Sequence, residues 1–208
     1  MQRVASPNAT CGEMSDNLFE QPPNATPLGS DEIANLRVAA VSRAQLNELE
    51  STNVAKGRRW GMNSRKDCFT PMFLTGLHSR MFSSVWSWAG RYRTHEVNIG
   101  NTKPHEIEVA VHQAFNDAKA WIEYKAYEPA ELALRLHHRL VLVHPFVNGN
   151  GRSTRLIADI AGKRLGAKPF TWGAVSLAET SAARTAYVDA LKAADNHDIE
   201  PLIKFAQS

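Results

Sequence analysis

Apolar positions recur at helical spacing along most of this chain. From Arg43 to Arg58 the residues Leu46, Leu49 and Val54 fall on one side of a helix, with Ser42 placed to cap it. From the mid-60s to Met81, Phe69, Met72, Phe73 and Leu77 predict a second. Helical spacing returns over about 105–124, and again from Pro129, a favourable first-turn residue, to Val143. His144 ends that helix, and Pro145 to Asn150 form a loop. Another helix starts near Gly151, carries Arg152, Arg155, Ile157 and Ile160, and stops near Gly166. Two more are expected over 177–194 and 197–206.

The pattern breaks in two places. Residues 1 to about 30 are rich in Pro, Asn, Ser and Gly and read as an irregular arm. Between 91 and 103, Tyr92, Val97 and Ile99 alternate with polar residues before Gly100-Asn101, which predicts a short β-hairpin or extended flap. The expected fold is mostly α: a helical bundle with one small β-hairpin flap and an irregular N-terminal arm.

Composition narrows the choices. The chain has 208 residues, 43% hydrophobic, enough for one cored domain with an appended arm. A net charge of +3 with no basic stripe gives no reason to expect nucleic acid. Cys11 and Cys68 form no CxxC pair, so reduced thiols in a cytoplasmic protein are expected. The first residues lack the apolar stretch of a signal peptide, and no apolar run approaches a membrane span.

The chemistry concentrates in His144-Pro145-Phe146-Val147-Asn148-Gly149-Asn150-Gly151-Arg152, with Arg155 three residues on. Gly149 and Gly151 can adopt positive φ, so successive N–H groups can face one anion. The helix that starts there adds its own N–H groups and positive dipole end. Arg152 and Arg155, three apart, share a helix face, and their guanidinium forks suit phosphate oxygens. This is a polyphosphate cradle. It is not a Walker A loop, which needs Gly-Lys-Ser/Thr, nor a dinucleotide fingerprint, which follows a strand. An imidazole stands just before it, able to accept a proton near neutral pH. Cradle plus base points to attack by a hydroxyl on a nucleotide phosphate. His137, His138 and His144 match no zinc spacing, and the first two are expected to be ordinary core or surface residues.

The run His144 to Arg155 resembles the Fic motif, His-x-Phe-x-(Asp/Glu)-Gly-Asn-Gly-Arg-x-x-Arg. Trp88-Ala89-Gly90-Arg91-Tyr92-Arg93 followed by Val97-Asn98-Ile99-Gly100 is similar to the segment entering the Fic flap. The wider chain, about residues 25–205, resembles the bacterial Fic proteins called mobile mystery protein B. The resemblance implies transfer of AMP from ATP to a Ser, Thr or Tyr hydroxyl of a target protein. It implies His144 as general base and Phe146 as the loop's core anchor. Gly149, Asn150 and Gly151 would form the cradle, with Asn150 helping to position the α-phosphate. Arg152 would face the β-phosphate and Arg155 the γ-phosphate. Val97, Asn98, Ile99 and Gly100 would hold the target segment by strand addition. The subgroup also implies a companion helix-turn-helix protein.

Position 148 departs from the motif. The family carries Asp or Glu there as the Mg²⁺ ligand, whereas Asn148 offers a neutral oxygen. Many Fic proteins also carry an inhibitory helix whose Glu pairs with the second motif arginine, here Arg155. Glu50 is the favoured counterpart and Glu48 the second choice, although neither sits in the usual inhibitory signature. This divides the chain into an arm (1–30), an inhibitory helical segment (31–60) and a Fic core (61–208). The alternatives are a silent nucleotide-binding Fic module and a Fic-type enzyme that transfers or removes another phosphate-containing group.

Overall fold

A computed structural model describes residues 34–38, 43–97, 100, 102–173 and 181–208. Seven α-helices occur among them: α1 Arg43–Asn63, α2 Pro71–Phe82, α3 Ile107–Glu123, α4 Pro129–Val143, α5 Asn150–Leu165, α6 Ser181–Asp195 and α7 Glu200–Gln207. A 3₁₀ turn, Pro104–Glu106, leads into α3. No described helix is long and apolar enough to cross a membrane.

Helix α5 lies at the centre, packed against α4, α1 and α2, while α3 backs α4. Its inner face is Leu156, Ile157, Ile160 and Ala161, all buried. Helix α1 joins the same core through Leu46 and approaches closely at two glycines. A Cβ on Gly57 would lie 2.4 Å from Met81 Cγ, and one on Gly61 2.7 Å from Ile160 Cδ1. Glycine inside a helix costs about 1 kcal/mol relative to alanine, and here it lets α1 press onto α2 and α5. Helices α6 and α7 form a smaller cluster around Tyr187 and Leu202.

Several expected boundaries shift. Helix α1 runs past Arg58 to Asn63, because Trp60 stacks on Phe73 at 5.2 Å and extends the packed face. Helix α2 begins at Pro71 rather than in the mid-60s. Thr70 caps it, its hydroxyl accepting from Phe73 N at 3.2 Å, so Phe69 is buried from the preceding loop. Leu49 and Met72, both placed on apolar faces by spacing, are exposed at 37% and 80%. Ser42 and residues 174–180 lie outside the described residues, and helix structure resumes at Ser181.

The expected hairpin or extended flap falls partly outside the described residues. The described residues between 91 and 103 form no strand, and Asn98, Ile99 and Asn101 fall outside the description. The segment is tied instead to the loop after α4, by Arg93 N donating to Pro145 O at 2.9 Å. Among the described residues β structure is limited to one antiparallel bridge, Leu36 to Trp86.

Candidate active site

His144 caps α4 in the left-handed conformation, with φ 48° and ψ 60°. A non-glycine residue is strained there, and such strain gathers at functional positions. The turn aims the chain so that α5 begins six residues later at Asn150, with Gly149 as its N-cap at φ 77°. The loop between them is fixed from within. Phe146 is fully buried. The Asn150 side chain accepts from Phe146 N at 2.9 Å and donates to Phe146 O at 2.8 Å. The Asn150 amide, 2% exposed, thus clamps the loop. The first turn of α5 has no side-chain cap.

A residue not singled out by sequence, His78 on α2, braces the same loop from below. Gly90 N donates to His78 Nδ1 at 2.9 Å, so the ring proton sits on Nε2, which donates to Asn148 O at 3.0 Å. The ring stacks on Phe146 with centroids 3.7 Å apart. Burial, with the nearby Arg152 charge, pushes its pKa down to about 3 against the bond to Asn148, so it stays neutral. Its only sequence signal is a polar residue inside the apolar face of α2, between Leu77 and Met81.

His144 is 6% exposed. Burial first, then the Arg93 charge, push its pKa down to about 4, opposed by a hydrogen bond to the Val141 backbone. The imidazole is therefore neutral near pH 7, the form a proton acceptor requires. Arg93, 3% exposed, donates from Nε to His144 O at 2.8 Å.

The two arginines near the start of α5, Arg152 and Arg155, diverge. Arg152 turns toward α1 and α2, its guanidinium 4.6 Å from the Phe82 ring centroid. Its Nη1 lies 2.5 Å from Glu50 Oε2. Glu50 Oε1 accepts from Trp86 Nε1 at 2.6 Å. Arg155 turns toward α6, lying 5.1 Å from the Tyr187 ring centroid and 5.9 Å from that of Trp172. The expectation that an α1 glutamate would meet Arg155 is thus corrected: Glu50 meets Arg152. Sharing a helix face does not make two long side chains point the same way. Glu48 is exposed and makes no such contact.

Arg184 on α6 adds positive charge that sequence reasoning overlooked. It stands one turn before Tyr187, and its pKa is lowered by burial and by the like charges of Arg155 and Arg152. Mutual repulsion of this kind suits a multiply charged anion. His137 is fully buried, its Nε2 3.1 Å from Tyr187 Oη, and His138 pairs with Asp195 at 2.8 Å. Among the described residues no group of three or more His, Cys, Asp or Glu is placed to hold a metal ion.

The residues at position 148 and around it do not fit a protein-held Mg²⁺. Asn148 Oδ1 is neutral, already accepts from Gly149 N at 2.5 Å, and lies 3.5 Å from Arg152 Nη2, a competing cation. Mg²⁺ sites ordinarily include at least one carboxylate besides substrate phosphates and water.

A histidine at the end of α4 thus leads through a glycine turn into the central helix. Residues 68–161 match the Fic/DOC family. Over this span the chain carries a Fic domain. Its relatives include the protein adenylyltransferase fic-1 of Caenorhabditis elegans, 33% identical over 120 residues, which is 56% of this chain and 22% of that protein. The protein adenylyltransferase Fic of Nematostella vectensis is 32% identical over 120 residues, 56% of this chain and 26% of that protein. The chain spans about a quarter of the length of these curated relatives. Among solved structures, the BepC effector protein of Bartonella tribocorum with bound AMPPNP superposes with a TM-score of 0.64. It is 17% identical, over 93% of this chain and 95% of that one, a likeness of fold.

Proposed function

We propose that this Fic domain transfers AMP from ATP to a Ser, Thr or Tyr hydroxyl of a target protein. The observation that carries the reading is the juxtaposition of a buried, neutral His144 with the glycine turn and open N-terminus of α5. The target oxygen attacks the α-phosphorus and gives up its proton to the His144 ring. The Pα–O bond to the β-phosphate breaks, and pyrophosphate leaves. The α5 N–H groups and Arg152, Arg155 and Arg184 neutralise charge on the phosphates. Proton transfer to a placed base is worth roughly 10²–10⁴ in rate. Val97, Asn98, Ile99 and Gly100 would present the target segment beside His144.

Two finer features belong to the same reading. Glu50 restrains the site in cis, because its carboxylate occupies the guanidinium of Arg152 that the phosphates need. Mg²⁺ would arrive with the nucleotide rather than reside on protein ligands. The relatives' names support adenylyl transfer.

The deciding experiment incubates the chain and its His144→Ala variant with ATP labelled at the α- or γ-phosphate. Protein label from the α-phosphate alone, lost in His144→Ala, is the expected result. Label from γ alone would mean phosphorylation. ATP binding with neither label would mean a silent nucleotide-binding module.

A further inference from the structure

Arg93 lies in the segment between α2 and the 3₁₀ turn, 3% exposed, and spends its donors on backbone carbonyls. Its Nε donates to His144 O at 2.8 Å, its Nη1 to His95 O at 2.9 Å, and its Nη2 to Thr102 O at 2.5 Å. Its own N–H donates to Pro145 O at 2.9 Å. One planar group thus holds the strained turn at His144 together with residues on both sides of the 97–101 segment. Tyr92, next to it, sits 5.8 Å from the Phe146 ring centroid and braces the same loop. Gly100 closes the arrangement from the other side. At φ +93°, it is packed so closely that a Cβ would lie 2.8 Å from His144 Cβ and 2.9 Å from Leu142 O.

We infer that Arg93 is a positioning residue, fixing the His144 backbone to both stems of the flap so that the target-holding segment and the imidazole keep one shared geometry. This rests on the AMP-transfer reading for its consequence in rate, though not for the positioning itself. Only a guanidinium can satisfy three diverging carbonyls at once. Lysine carries the same charge on a single nitrogen and cannot span them. A misplacement of about 1 Å at a reacting group can cost on the order of 100-fold.

The test uses Arg93→Lys in the full chain, with three measurements: the ring ¹⁵N signals of His144 by NMR, the ATP dissociation constant by calorimetry, and the rate of label transfer from α-labelled ATP. The expected result is altered His144 ring signals and a transfer rate at least about tenfold lower, with ATP affinity within about twofold. Unchanged His144 signals in the folded variant would overturn the inference. So would parallel loss of ATP binding and transfer, which would mark Arg93 as merely structural. If the parent chain transfers no label, the function fails separately and the NMR signals alone decide the positioning. If Arg93→Lys does not fold, Gly100→Ala decides, since it leaves the Arg93 side chain itself in place and sets a Cβ 2.8 Å from His144 Cβ. The expected result is again altered His144 signals with ATP affinity kept, and unaltered signals would refute the coupling.

Discussion

Glu50 Oε2 and Arg152 Nη1 meet at 2.5 Å across 102 residues of chain, and the same carboxylate takes the Trp86 indole N–H at 2.6 Å. The indole holds the carboxylate in place, and on the proposed autoinhibition the carboxylate withholds Arg152 from the phosphates. A hydrogen bond to a charged group is worth about 1.5–3 kcal/mol, so freeing the arginine should raise ATP affinity and self-modification by about ten- to a hundredfold. Glu50→Gly is expected to do this while lowering stability by roughly 1–3 kcal/mol, because the buried Trp86 N–H loses its acceptor. Calorimetry with ATP, label incorporation and denaturant melts would check the opposed signs. Glu48→Gly, on an exposed side chain, should change none of them. A Glu50→Gly protein that gained neither affinity nor activity would end the autoinhibition reading.

Gly149 is where the cradle tolerates least. At φ +77° its missing Cβ would sit 2.6 Å from Phe82 Cε2 and 2.7 Å from Cζ. Phe82 is fully buried and cannot swing away. Gly149→Ala combines a left-handed backbone penalty of about 1–2 kcal/mol with that clash, and should lower stability by more than about 2 kcal/mol and weaken ATP binding. Gly166→Ala, at φ +88° but with nothing within 4 Å of the added Cβ, is the control. It should cost only the backbone part and leave ATP binding alone. Equal losses for the two variants would argue against a close-packed cradle.

The legible parts of this molecule were those written in local sequence. Helix α4 begins and ends as its proline and periodicity indicate, and the loop after His144 leads directly into α5. The illegible parts depend on distant partners. His78 reaches Asn148, 70 residues away, and Arg93 reaches His144, 51 away. The neighbours of each in sequence say nothing of its partner. Spacing placed Arg152 and Arg155 on one face but could not show that packing sends one to α1 and the other to α6. For the same reason Glu50 was legible as a candidate while its partner was not.

Asn148 offers a test of the proposed use of Mg²⁺. Asn148→Asp keeps an oxygen for Gly149 N and adds a negative charge at the N-terminus of α5, a placement worth about 0.3–1 kcal/mol of stability. It also restores a carboxylate near the phosphates. The expected outcome is an unchanged or slightly raised melting temperature and transfer activity that half-saturates at lower Mg²⁺. If the Mg²⁺ requirement does not move, the side chain at 148 has no part in metal binding, and the metal is held by the nucleotide alone.

Three buried histidines set the response to acid. Burial is the first cause of depression in each: His78 and His137 to about 3, and His144 to about 4, with arginine charge adding to it in every case. In the unfolded chain they titrate near 6.5. Between about pH 6.5 and 4 the unfolded state therefore binds protons that the folded state refuses, so stability falls as pH falls through that window and is fully present above it. Each histidine contributes at most about 1.4 kcal/mol per pH unit there. Denaturant unfolding at pH 7 and pH 5 should show a clear loss of stability at the lower pH. Replacing His78 by Phe keeps the stack on Phe146 and removes one proton site, so it should flatten the slope while costing stability at pH 7 through the lost bonds to Gly90 and Asn148. A His78→Phe protein with the parent's slope between pH 7 and pH 5 would mean that this ring does not stay neutral in the folded state. The tautomer that joins Gly90 to Asn148 would then have to be reassigned.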